Sequence, residues 1–125
     1  MSAPWNHLLA IAQDEVERTR RELPEHLRHH ADGLPVTYES LPSEALIGDG
    51  WDPDLLGMFV GDPVAVGDSE SHPVPRQIFL FLENLWDFAE GDEALYRDEV
   101  RITYIHEFGH YLGLDEGELE ERGLL

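Results

Sequence analysis

The sequence predicts an α+β domain with a small, mostly antiparallel sheet, an N-terminal helix and a central helix over His106-Glu107-Phe108-Gly109-His110. Three observations predict it. The first thirty residues repeat apolar side chains at helical spacing. Three short runs in the middle have strand character and are bounded by Pro and Gly. A long, mostly apolar helical pattern then leads toward the C-terminus. Helix, strands and helices in that order read as α+β rather than as alternating βα units.

Residues 4–30 read as helix. Pro4 suits a first turn, and Trp5, Leu8, Leu9, Ile11, Ala12 and Val16 recur on one side. Pro24 removes a backbone donor, so a kink or a break into two helices is expected there. Asp32-Gly33 ends the segment. Residues 35–39 read as a short strand, and Leu41 through Pro53 as irregular. Leu55 to Val60 is a second strand, closed by Gly61-Asp62-Pro63. Residues 61–75 read as a loop, with Pro, Gly and acids throughout. Arg76 to Leu82 is the clearest strand in the chain, and Glu83 to Phe88 a short helical turn.

Asp92 is a good N-cap for the last long helix, with Glu93 in its first turn. Leu95, Val100, Ile102, Tyr104, Ile105, Phe108 and Leu112 make that helix mostly apolar, so it should be largely buried. Gly113 stands where a C-terminal stop belongs. Residues 115–122 read as a short acidic helix.

The chain has 125 residues, which suits a single domain over residues 1–125 with one core. A hydrophobic share of 42% favours a folded globule. The charge is extreme: 27 Asp and Glu against 8 basic residues, all Arg, give −19. Such a charge argues against nucleic acid as partner, because phosphates require cationic neutralisation. It argues equally against an anionic membrane surface. A solubility adaptation or a compositional bias explains the acidity without a dedicated basic partner. With no cysteine, disulfides, thiolate zinc sites and cysteine nucleophiles are excluded. The first residues carry neither a basic region nor a long apolar run, so the expected location is cytoplasmic.

His106 and His110 are four residues apart. On a helix, that spacing puts both imidazoles on one face, one turn apart, within reach of a single ion. Zn2+ takes such nitrogens at about 2.0–2.1 Å. Glu107 follows the first His and is angled toward a metal-bound water, the place of a general base. A catalytic zinc needs a third protein ligand, with the fourth position left to water. Gly113 permits a sharp turn, after which a carboxylate can fold back. Glu116 occupies the third-ligand position of the HExxHxxGxx[H/D] spacing. Asp115 is one step early but has the more usual side chain. Both stay open, with Glu116 preferred.

The second half of the chain resembles the small bacterial zincin-like metallopeptidase family, a minimal zincin. The resemblance rests on Leu55-Leu56-Gly57-Met58-Phe59, on Pro75 through Leu80, and on Glu99 through Glu116 with its HExxHxxGxx[D/E] run. It implies a compact zincin-like fold, zinc on His106 and His110, Glu107 as catalytic base, and an acidic third ligand. The family's Asp-type pattern has Asp where this chain has Glu116.

Other residues have plainer readings. His26, His29 and His30 are at helical spacing and could form a second metal site, but exposed histidines near a helix end suit the dipole without any metal. His72 is a candidate oxyanion donor or a plain loop histidine. Tyr104 and Tyr111 are oxyanion candidates or core aromatics. Asp87, Asp98 and Glu99 are candidate supports for an imidazole. Either the strand at 55–60 or that at 76–82 could present an edge to an extended substrate.

The expected function is hydrolysis of peptide bonds in a peptide or protein substrate by a zinc-activated water, with Glu107 as general base. The alternatives are a non-proteolytic zinc-binding interaction module and a metal-dependent hydrolase of non-peptide substrates. A purely structural zinc fills all four positions with protein atoms and needs no base, so Glu107 favours catalysis.

Overall fold

The computed structural model describes residues 4–63 and 75–125. Most of the expected 61–75 loop, and His72 with it, lies outside the described residues.

The N-terminal segment is two helices, α1 (Trp5–Glu22) and α2 (Glu25–Asp32). Pro24 causes the break. The ring of a proline disfavours helical torsions in the residue before it. Leu23 is accordingly extended at φ −65° and ψ 150°, and Pro24 itself, with φ −53°, caps α2.

The three strands are β1 (Val36–Glu39), β2 (Gly57–Val60) and β3 (Gln77–Phe81), each slightly shorter than its sequence pattern. They form one sheet in the order β1-β3-β2. β3 pairs antiparallel with β2 and parallel with β1. The sheet is therefore mixed rather than mostly antiparallel. Successive strands do reverse direction, but β3 inserts between β1 and β2 instead of adding on the outer side of β2. Sequence neighbours are sheet neighbours only about two-thirds of the time. The insertion settles the edge question for one strand: β3 is paired on both sides, while β2 stands at an edge among the described residues.

A further helix, α3 (Glu44–Gly48), lies within the stretch expected to be irregular. The Ser43 hydroxyl accepts from the Leu46 amide at 3.2 Å and caps it. Then follow α4 (Leu82–Phe88), α5 (Glu93–Leu112) and α6 (Glu116–Glu121).

The core lies between β3 and the helices. Ile78 and Leu80 point from one face of β3 and are fully buried. They join Leu8, Ile11, Ala12 and Val16 of α1 and Tyr96, Val100, Tyr104, Ile105 and Phe108 of α5 in one cluster. Burying each Leu or Ile contributes about 1.5–3 kcal/mol. α5 packs against α1, α4, α6, β2 and β3. Of its expected apolar face, Leu95 is exposed instead, and Tyr96 beside it is buried. Polar links tie the N-terminal half to α5, among them two that reach buried tyrosines. The Tyr96 hydroxyl donates to the Leu8 carbonyl at 3.0 Å. Arg20 donates from Nε to the Tyr104 hydroxyl at 3.3 Å and from Nη2 to the Leu34 carbonyl at 2.9 Å.

The edge strand comes close to α5 because its first residue is glycine. A Cβ on Gly57 would stand 2.7 Å from Cγ2 of Thr103. Among the described residues, no helix is long and apolar enough to cross a membrane.

Candidate metal centre

α5 runs from a conventional start to a conventional stop. The Asp92 carboxylate accepts from the Leu95 amide at 3.0 Å and opens the helix. Its last turns hold His106, Glu107 and His110. Helical spacing puts His106, Gly109, His110 and Gly113 on one stripe. Phe108 and Tyr104, on the buried side, stack at 6.1 Å and fix the rotation of the helix.

The three polar side chains sit at different depths. Glu107 is only 12% exposed, His106 35% and His110 62%. Oε1 of Glu107 lies 3.1 Å from Nδ1 of His110. An ionised carboxylate accepts only, so in this contact Nδ1 is the donor, and a neutral ring then carries its lone pair on Nε2.

α5 stops at Gly113, whose φ of 76° and ψ of 25° are left-handed. The Leu114 amide donates to the Gly109 carbonyl at 2.8 Å and the Gly113 amide to the His110 carbonyl at 3.1 Å. This is the Schellman pattern, which satisfies otherwise orphaned carbonyls while turning the chain. α6 begins at once. Oδ1 of Asp115 accepts from the Glu118 amide at 2.8 Å, and the Glu118 carboxylate accepts from the Asp115 amide at 3.3 Å. Asp115 is thus half of a capping box.

Glu116, the first residue of α6, is brought back to α5. Its Oε1 lies 3.7 Å from Nε2 of His106. Leu119 of α6 is buried against Gly109 of α5, a contact that helical spacing in α5 does not predict. The signal lies in α6 itself: Leu119 is the one apolar residue in Glu-Gly-Glu-Leu-Glu-Glu.

Other expected participants have different surroundings. Tyr104 is fully buried and its hydroxyl accepts from Arg20. Tyr111 is buried among Phe59, Phe108 and His30, with the Arg76 guanidinium 5.8 Å from its ring centre. Both are core aromatics here. His26 and His29 are exposed, and the His29 and His30 rings meet edge-on at 5.8 Å. Asp87, Asp98 and Glu99 make no bond to either imidazole of the motif; Glu107 is the partner of His110.

Among the described residues, no three His, Asp or Glu side chains are gathered closely enough to hold a metal ion as they stand. One imidazole and one carboxylate are nevertheless close together. Two ligands of a tetrahedral zinc at 2.0–2.1 Å are about 3.4 Å apart. The 3.7 Å between His106 and Glu116 is near that separation. Two imidazoles and a carboxylate on adjoining helix ends are donor types that zinc takes.

A family model described as zincin-like metallopeptidase matches residues 31–124, from the end of α2 through α6. No curated protein matches the chain. The match leaves out only α1 and most of α2, and takes in all three strands and the HExxH run; the chain belongs to the zincin-like metallopeptidase family.

Proposed function

We propose that this chain is a zinc-dependent peptidase in which His106, His110 and Glu116 hold the metal and Glu107 is the general base. Family membership supports zinc-dependent peptidase activity in general. The observation that carries the specific reading is the return of Glu116 to within 3.7 Å of His106, beside a Glu107 only 12% exposed. Asp115 is the weaker candidate for third ligand, because its Oδ1 already accepts from the Glu118 amide at 2.8 Å.

Bound zinc supplies Lewis-acid polarisation of the scissile carbonyl and lowers the pKa of a water. The rest is the work of the chain. Glu107 accepts a proton from the water as its oxygen attacks the carbonyl carbon. It then delivers that proton to the leaving nitrogen as the C–N bond breaks. Its bond to His110 Nδ1 holds the imidazole in the tautomer that keeps Nε2 available. The edge of β2, packed on α5, receives an extended substrate by strand addition, which gives affinity from backbone hydrogen bonds without sequence demand. The charge of −19 supports a peptide or protein substrate over nucleic acid or an anionic membrane.

The test compares zinc-loaded wild type with Glu107→Gln on a peptide library. Wild type should cleave, and the variant should lose about 10²–10⁴ in rate while keeping its zinc. Equal inactivity of two zinc-loaded proteins would overturn the peptidase reading and leave a non-proteolytic zinc-binding module.

A further inference from the structure

We infer that Leu119, seated over Gly109, is the positioning residue that sets the third metal ligand. The inference rests on the proposal that Glu116 is that ligand.

Gly109 lies inside the HExxH run, on the same stripe of α5 as the two histidines. It is buried, and α6 covers it. A Cβ at this position would stand 2.8 Å from Cδ1, 3.1 Å from Cδ2 and 3.3 Å from Cγ of Leu119. Real side chains do not approach so closely, and Leu119, 1% exposed, has little room to retreat. A methyl at 109 would therefore force Leu119 to shift, and with it the seat of α6. Glycine is a poor helix former, and α5 carries it next to its functional residues.

α6 transmits this contact. Glu116 and Leu119 are three residues apart, so both face α5. Leu119 fixes how deeply α6 sits, and the depth fixes where Glu116 meets His106. The left-handed Gly113 sets the direction of the return, and the Asp115 capping box sets where α6 begins. Leu124, also buried, donates its amide to the Leu119 carbonyl at 2.9 Å and closes α6 behind it. Leu119 touches no reacting atom; it acts through Glu116.

A size-swap cycle on the full chain tests this, reading zinc affinity by competition with a chromogenic chelator. Gly109→Ala should weaken zinc binding roughly 10–100-fold, although alanine is the better helix residue. Leu119→Val removes both δ-carbons, the two atoms nearest the new methyl. The Gly109→Ala/Leu119→Val protein should therefore recover most of the lost affinity, a strongly non-additive result. A general loss of stability would make the double variant worse than either single one. Wild-type affinity in Gly109→Ala, or a double variant as weak as the two changes multiplied, overturns the inference while the metal site stands. A wild type that binds no zinc overturns the site itself and this inference with it.

Discussion

Nε2 of His106 and Oε1 of Glu116 come within 3.7 Å of each other although a helix end, a left-handed glycine and a capping box separate them in the chain. That proximity makes a sharp distinction between two adjacent carboxylates. Asp115 holds the start of α6, and Glu116 faces His106.

Alanine at each position should therefore have opposite effects. Asp115→Ala removes an N-cap and should cost about 1 kcal/mol of stability. Glu116 has a side chain 71% exposed. Its replacement by alanine should change the stability of the metal-free protein by less than about 0.5 kcal/mol. Zinc affinity should fall steeply in Glu116→Ala and only slightly in Asp115→Ala. Urea unfolding and chelator competition on both variants check this. The reverse pattern in zinc affinity would make Asp115 the ligand.

Gly113 is expected to be costly to replace for a backbone reason alone. No atom lies within 4 Å of where its Cβ would be, yet its φ is +76°. Gly113→Ala should lose about 1–2 kcal/mol, the cost of a left-handed L-residue. Gly113→Asn should lose less, because asparagine tolerates that conformation. Denaturant midpoints of the two variants give the order, and equal stability of Gly113→Ala and wild type would contradict it.

Most local features of the fold were legible because one or two residues dictate each of them. Pro24 breaks the first helix, Asp92 opens α5 and Gly113 closes it, whatever else the chain does. HExxH spacing placed His106 and His110 on one face for the same reason. The sheet order was not legible. Inserting β3 between β1 and β2 depends on contacts among residues far apart in sequence, and no strand pattern encodes its neighbours. Two further local signals stand in the sequence. Ser43 before Glu44 marks the start of α3, and Asp115 with Glu118 has capping-box spacing. The second would have separated Asp115 from Glu116 at once. The role of Gly109 was beyond reach, since it depends on where Leu119 arrives.

Two buried tyrosines, Tyr96 and Tyr104, and the half-buried Tyr38 predict how the protein responds to base. Burial holds the Tyr96 and Tyr104 hydroxyls well above the usual value, and pushes Tyr38 up to about 12. An unfolded tyrosine ionises near 10.0, so above that pH the unfolded chain gives up protons that the folded one keeps. Stability should be level below pH about 10 and fall from there toward 12. Tyr96→Phe should lessen the slope, at a cost of about 1 kcal/mol at neutral pH for the lost bond to Leu8. Urea midpoints across the window test the sign; a midpoint that stays level would contradict it.

The central claim is that this chain carries a zinc site built on His106, His110 and Glu116. Metal analysis of purified, zinc-equilibrated protein tests it most directly. Wild type should retain about one zinc per chain. His106→Ala/His110→Ala should retain none while remaining folded. Wild type that keeps no zinc, or a double variant that keeps as much as wild type, would contradict the account.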